Sequence, residues 1–291
     1  MNSRFKTLKV LYTDLKKSVF SLGFAACAAI TAILCFTSPG FSDTETNRAY
    51  SVFEAILYID WQTLAKEGVS GMDLIFGGLY GYCNMFMPII AALPFVTAFC
   101  NERNTGNIRL NIIRTGRMRY YISKYLSAII SAGAAVVLGC IIYAVVVYSI
   151  FPTDSDCKEF RVLVMPHEER GIKDFLGFIP GVFMYGAISV LPAFFLSGFV
   201  KNHYLITCIP FMLTYFLRVS LNKLGQSGIL DKMENVPFLL KNYSAFYPYN
   251  MILWNSGYDF VPTMLIYNGI CVLVTLLSFI TFMELRTDKG E

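Results

Sequence analysis

Residues 101–125 read NERNTGNIRLNIIRTGRMRYYISKY and separate two long apolar runs. This stretch carries six of the 24 lysine and arginine residues of the chain. A basic segment between two apolar runs is typical of two membrane-spanning helices joined by a cytoplasmic loop, because basic loops tend to remain on the cytoplasmic side. The sequence on either side of this loop therefore predicts an integral membrane protein.

The composition of the whole chain agrees with that prediction. Hydrophobic residues make up 55% of the 291 residues, charged residues only 15%, and the mean hydropathy is +0.53. A water-soluble domain of this size carries more charge. Six apolar stretches approach the ~20 residues that a helix needs to cross ~30 Å of hydrocarbon: 19–36, 74–100, 126–151, 175–200, 204–221 and 260–283. We predict an all-α membrane protein with six transmembrane helices in a single domain, residues 1–291.

The distribution of lysine and arginine predicts the orientation. With the N-terminus inside, 14 of the 24 basic residues fall in the 54 residues of the predicted cytoplasmic segments, and 10 fall in the 102 residues of the outer segments. Both termini are thus expected in the cytoplasm. A cleaved signal peptide is the alternative for residues 19–36, because Lys16 and Lys17 precede that run. The run is long for the apolar region of a signal peptide, which favours a span.

Two segments beside the spans are expected to lie at the membrane surface. In residues 1–18, apolar residues recur every three or four positions, as in an amphipathic interfacial helix. Its basic residues are Arg4, Lys6, Lys9, Lys16 and Lys17. Residues 242–254 are apolar and aromatic but contain Pro248, which predicts short half-buried helices before span six.

The chain lacks several kinds of chemistry. No G-x-x-x-x-G-K-[ST], HExxH or GxSxG motif occurs, which predicts a non-enzyme. Apart from Arg218, near the end of the fifth stretch, the predicted spans contain no Asp, Glu, Lys, Arg or His, whereas ion-coupled carriers usually place an ionisable group there. Asn84 and Asn268 are expected to form hydrogen bonds between helices. Cys157 and His167 lie in an outer loop without a metal-ligand spacing, so no metal site is predicted.

The basic loop itself divides into two parts. Residues 101–113 combine isoleucine and leucine with arginine, which predicts a short helix along the membrane surface. Thr115 and Gly116 then predict a turn, and residues 117–124 lead directly into span three. Tyr121 and Tyr125 are expected at the level of the lipid headgroups, where amphipathic aromatics concentrate. A soluble partner that displaced such a surface helix would displace both attached spans.

In these residues the chain resembles the membrane subunits of type-2 ATP-binding-cassette (ABC) exporters. The family pattern has an acid near the inner end of span two, a glycine, an arginine-bearing stretch and a lysine before span three. The corresponding positions are Glu102, Gly106, Arg114 or Arg117, Arg119 and Lys124. Family members often carry a proline before the second arginine-rich turn, whereas this chain has Ile-Arg-Thr-Gly at residues 113–116. The resemblance also covers the N-terminal helix, the six spans and a tight turn between spans four and five.

The resemblance implies the permease subunit of an ATP-driven exporter. Residues 101–113 would be the coupling helix that docks on a separate ATPase subunit, and a second copy of the permease or a related permease would complete the path. The chain itself would bind no cofactor, since ATP and Mg would lie on the ATPase, and it would bind no nucleic acid. The implied location is the plasma membrane of a bacterium. The implied coupling residues are Glu102, Arg103, Gly106, Arg109, Arg114, Arg117, Arg119 and Lys124.

Other functions remain open at this point. Uncharged spans rich in Phe, Tyr, Met and Leu favour a peptide, lipid-like or drug-like cargo over a small ion. A membrane immunity or sensor protein, which binds a toxin or signal without transport, is the main alternative, and an ion-coupled carrier is disfavoured. The basic loop would also set topology or bind anionic lipid, at ~1 kcal/mol for each lysine or arginine.

Overall fold

The structure, a computed structural model, describes residues 3–43, 48–66, 69–153, 172–226, 247–254, 259 and 261–288. It is mostly helical, with one antiparallel two-stranded sheet and one short 3-10 helix, Pro248–Leu253. The other elements are α1 (Ser3–Val19), α2 (Leu22–Cys35), β1 (Pro39–Asp43), β2 (Arg48–Ser51), α3 (Val52–Tyr58), α4 (Trp61–Lys66), α5 (Gly71–Gly77), α6 (Tyr82–Ile90), α7 (Val96–Asn104), α8 (Asn107–Thr115), α9 (Arg117–Ile150), α10 (Ile172–Ser189), α11 (Leu191–Ser197), α12 (His203–Gln226) and α13 (Val261–Asp288).

Three helical segments in the described residues are long and apolar enough to cross a membrane. They are Arg117–Ile150, Ile172–Ser197 and Val261–Leu285, of 34, 26 and 25 residues. A fourth is present if α1 and α2, which meet at a bend of 57°, count as one broken span. The apolar part of α12, Tyr204–Ser220, is shorter. A helical membrane protein is therefore confirmed, whereas six spans with both termini inside stay a prediction.

The stretch predicted as span two is not one continuous helix. Three short helices, α5, α6 and α7, follow one another there. Gly81 precedes α6 with φ of +72°, a conformation that glycine adopts without steric cost. Pro94 lies in the second break, where its ring cannot continue a helix. Sequence hydropathy reports apolar length but does not register these breaks.

The bend between α1 and α2 packs against the second break, between α6 and α7. The Ser18 hydroxyl donates a hydrogen bond of 3.0 Å to the carbonyl oxygen of Pro94. Ser21 caps α2, since its Oγ accepts from the amide of Phe24 at 3.1 Å. Gly23 lies so close to this break that a Cβ there would be 2.3 Å from the carbonyl oxygen of Leu93. The corner thus satisfies a backbone acceptor that the broken helix leaves without its usual partner.

The predicted N-terminal helix is confirmed as a helix, but part of its apolar side points away from the protein. Leu8 and Tyr12 are exposed, whereas Asp14 and Ser18 are buried. The helix therefore packs against the rest of the chain through these two polar side chains together with the half-buried Leu11 and Leu15. Its exposed leucine and tyrosine are suited to a membrane surface.

Pro39–Asp43 and Arg48–Ser51 pair as antiparallel strands, which the prediction of an all-α protein did not include. Phe41 pairs with Tyr50 and Asp43 with Arg48. Ser51 then starts α3 in a capping box with Glu54, whose carboxylate accepts from the Ser51 amide at 2.9 Å. These hydrogen bonds lower the pKa of the Glu54 carboxyl group.

A half-buried segment precedes the last helix, as predicted, within the part of residues 242–254 that the structure describes. The 3-10 helix Pro248–Leu253 buries Met251 and Ile252. Next to it, the Trp254 indole donates to the carbonyl oxygen of Gly177 at 3.0 Å. This segment therefore packs on α10.

The two predicted amide contacts have different outcomes. Asn84 of α6 accepts a hydrogen bond of 3.0 Å from the Tyr185 hydroxyl of α10, so its prediction is confirmed. Asn268 instead donates to the carbonyl oxygen of Met264 within α13, at 2.8 Å. This hydrogen bond lies within α13, so it does not connect α13 to another helix.

Helix α9 packs against α2 at a glycine. A Cβ added at Gly139 would lie 2.6 Å from the carbonyl oxygen of Ala28 and 2.7 Å from the Cβ of Thr31. We expect Gly139→Ala to lower the thermal unfolding midpoint of the detergent-solubilised protein, because overpacking of this kind costs ~1–3 kcal/mol. Gly269→Ala in α13 is the control, since a Cβ there meets no described atom within 4 Å. Equal midpoints for the two variants would contradict the close contact between α2 and α9.

Candidate functional site: a buried ion-pair cluster beside helix α8

Two glycines with positive φ set the course of the chain through the basic loop. Gly106, with φ of +74°, lies between α7 and α8, and Gly116, with φ of +88°, lies between α8 and α9. The predicted turn at Thr115 and Gly116 is confirmed. The predicted helix over residues 101–113 is wrong in its bounds: residues 101–104 end α7, and the separate helix α8 spans Asn107–Thr115. Gly106 causes the difference, because its left-handed conformation interrupts the helix.

The centre of the site is a lysine held between two carboxyl groups. Lys124 Nζ lies 2.9 Å from Asp14 Oδ1 and 2.7 Å from Glu102 Oε2. The side chains of Lys124, Asp14 and Glu102 are 8%, 9% and 20% exposed. The three residues belong to α9, α1 and α7, so one ammonium group connects three helices. We call Asp14, Glu102 and Lys124 the ion-pair cluster.

Neighbouring side chains make further hydrogen bonds and ring contacts with the ion-pair cluster. The Ser123 hydroxyl donates to Asp14 Oδ2 at 2.8 Å, and the Asn111 amide donates to Glu102 Oε1. Through Asn111, α8 is the fourth helix in contact with the cluster. The ammonium group of Lys124 also lies 5.2 Å from the ring centroid of Tyr120 and 5.7 Å from that of Phe95. Each buried charge needs such partners, because burying an unpaired charge is energetically costly.

An aromatic core lies on the buried side of the cluster. The Phe194 ring is 4.7 Å from the ring of Phe279, 5.4 Å from that of Phe99 and 5.7 Å from that of Tyr125, measured between centroids. These residues join α7, α9, α11 and α13. The aromatic rings shield this side of the cluster from water, so the charges interact more strongly than they would at a surface.

Arg103 connects the region of the ion-pair cluster to the end of α11 and the turn that follows it. Its guanidinium donates to the carbonyl oxygens of Ser197 and Val200, at the end of α11 and in the turn before α12. Next to it, the Asn104 amide donates to the carbonyl oxygen of Lys201 at 3.2 Å. Arg103, predicted from the resemblance as a coupling residue, thus positions α7 against the turn between α11 and α12.

The outer side of α8 carries exposed apolar and basic residues. Leu110 and Ile113 are 57% and 81% exposed, while Ile108 is buried. Arg109 and Arg114 are exposed on the same helix. An exposed apolar pair beside two arginines is a common composition for a surface that binds another protein.

The other predicted residues are scattered around the cluster. Arg117 is exposed and Arg119 half-buried at the start of α9, and neither belongs to the ion-pair cluster. On α1, Lys9, Lys16 and Lys17 are exposed, as expected for a basic surface helix. The side chains of Arg4 and Lys6 lie outside the described residues.

Asp14 is the functional candidate that sequence reasoning missed. It is the single acid among residues 1–18, and it was passed over because the segment is strongly basic. The signal was its spacing: residues 11, 14, 15 and 18 form one helical face, and an acid on a face that packs against protein needs a cation. Which cation it contacts follows only from the packing of α1 on α9.

The described residues contain no group of three His, Cys, Asp or Glu side chains placed to hold a metal ion. The seven cysteines described there are free thiols. Cys157 and His167 lie outside the described residues.

No family model matches this chain, and no curated protein matches it. The likeness to type-2 ABC exporters therefore rests on the residues of the basic loop and on the layout of the chain.

Removal of the central cation tests the cluster directly. Lys124→Met keeps a side chain of similar length but leaves two buried carboxyl groups without their cation. We expect a loss of ~3–5 kcal/mol of stability, seen as a lower thermal unfolding midpoint in detergent. Lys16→Met, on the exposed side of α1, removes the same charge and should change the midpoint little.

A compensated variant separates charge from packing. Asp14→Asn and Glu102→Gln, combined with Lys124→Met, remove all three charges with little change in volume. This triple variant should recover much of the stability that Lys124→Met alone loses. If Lys124→Met were as stable as Lys16→Met, the ion-pair cluster would have no structural role.

Proposed function

We propose that this chain is the permease subunit of an ATP-driven exporter of the type-2 ABC class. The observation that carries the proposal is the position of α8. It is a short helix between glycine turns, with an exposed apolar and basic side, and its inner side contacts the ion-pair cluster through Asn111. A partner that displaced α8 would act on α1, α7 and α9 together, because the cluster joins them.

In this proposal α8 is the coupling helix, and its end of the molecule faces the cytoplasm. The basic residues of the loop favour that side. Ile113 and Leu110 would enter a groove of the ATPase, and Arg109 and Arg114 would contact acidic groups at its rim. Arg103 would transmit the displacement to the turn between α11 and α12, since it is bonded to the carbonyl oxygens there.

The remaining parts of the proposal follow the resemblance. ATP and Mg bind to the separate ATPase, and this chain performs no catalysis. A second copy of the chain or a related permease completes the path through the plasma membrane of a bacterium. The cargo is a peptide, lipid-like or drug-like molecule, because the apolar helices offer aromatic and aliphatic surfaces.

Co-purification with an ATPase tests the proposal. Tagged full-length chain, extracted from its native membranes in mild detergent, is expected to carry a soluble subunit with a Walker motif and ATP hydrolysis activity. Ile113→Glu with Arg109→Glu should reduce the bound ATPase at least about 10-fold, because burying the new acids in the interface is costly. The amount of the subunit is measured by quantitative mass spectrometry and by ATP hydrolysis in the eluate.

The matched control is Ile172→Glu with Lys173→Glu at the start of α10. Both of these residues are exposed, and the charge change is the same, but they lie on a different helix from the proposed interface. This pair should retain the ATPase. If the wild-type chain brings down no ATPase, or if both pairs of substitutions retain it equally, the chain is not such a permease, and binding without transport becomes the better description.

A further inference from the structure

We propose that a cavity between α1, α7, α8 and α9 binds a phosphate group. The cavity has a volume of about 450 Å³, within the range of small-molecule sites. Its lining includes the ion-pair cluster together with Lys17, Asn107 and Arg114. The proposal does not rest on the proposed transport function, although Leu110 and Arg114 also belong to the surface of α8 that is assigned there to the ATPase.

The charges of the cavity are divided between its floor and its rim. The floor is the ion-pair cluster, in which each carboxyl group already contacts Lys124 and a second donor. Ser18 is also occupied, since its hydroxyl donates to Pro94. A ligand therefore gains little from the floor without breaking buried hydrogen bonds.

The rim offers positive charge that the described residues do not neutralise. Lys17 of α1 and Arg114 of α8 line the cavity and are exposed, and neither has an ion-pair partner in the part of the chain that the structure describes. Asn107, the first residue of α8, also lines the cavity, so the N-terminus of that helix, which carries a partial positive charge, lies at its edge. Two cations and a helix N-terminus together favour an anion with several acceptor oxygens.

A phosphate group meets these requirements better than a carboxylate does. The guanidinium of Arg114 can donate two parallel hydrogen bonds to it while the Lys17 ammonium donates to a third oxygen. The walls formed by Phe95, Phe99 and Leu110 are apolar, which suits the hydrocarbon part of a phosphate-bearing amphiphile. The phosphate would come from a lipid headgroup or from a soluble phosphate compound.

The test uses purified full-length protein in mild detergent, with the lipid removed. Phosphatidylglycerol, diacylglycerol and inorganic phosphate are the probes, and bound molecules are counted by native mass spectrometry. Lys17→Ala with Arg114→Ala should weaken phosphatidylglycerol binding about 30-fold, since each basic residue contributes ~5-fold at such a surface. Diacylglycerol, which lacks phosphate, should bind to wild-type protein no better than to this variant.

The matched control is Lys16→Ala with Arg109→Ala. These residues lie on the same two helices and remove the same charge, but neither lines the cavity. The control should bind phosphatidylglycerol within about 2-fold of wild type. Measured thermal midpoints should agree for the two variants, since all four side chains are exposed.

The two sources of phosphate are distinguished by competition. Binding of phosphatidylglycerol that millimolar inorganic phosphate does not displace identifies a lipid headgroup site, whereas displacement identifies a site for soluble phosphate. Equal losses in the two pairs of substitutions would show attraction by general surface charge and would overturn the proposal. Equal binding of phosphatidylglycerol and diacylglycerol would overturn it as well. Absence of an ATPase partner would leave this result unaffected.

Discussion

The ammonium group of Lys124 is largely buried between two carboxyl groups, and the arrangement of the four helices around it depends on this ion pair. An isolated charge at that depth would cost several kcal/mol, so Asp14, Glu102 and Lys124 are stable only together. The residues come from three separate parts of the chain. Helices α1, α7 and α9 must therefore stay in their present positions for any one of the charges to be tolerated.

Helix α8 is connected to α7 and α9 through glycines and to the ion-pair cluster through a side-chain hydrogen bond. Glycines at both of its ends allow it to change direction at little steric cost, while Asn111 contacts the buried Glu102. The adjoining Arg103 bonds the turn between α11 and α12. A displacement of α8 would thus reach two groups of helices through hydrogen bonds and ion pairs, which is what a coupling element requires.

The ion-pair cluster also explains why α1 has polar residues on its buried side and apolar residues on its exposed side. Its buried side carries Asp14 and Ser18, and its exposed side carries Leu8 and Tyr12. Such an arrangement is unfavourable for a helix in water but suits one that lies between a protein and a membrane surface. Lys17, on the rim of the neighbouring cavity, is exposed on the same helix.

The sequence by itself determined that this is a helical membrane protein, because apolar length and the placement of basic residues act locally along the chain. It also determined the turn at Gly116 and the amphipathic character of residues 1–18. Only the tertiary structure decided that residues 71–104 form three short helices and that Asp14 pairs with Lys124, 110 residues away. Hydropathy is summed over neighbours in sequence, whereas the cost of a buried charge depends on neighbours in space.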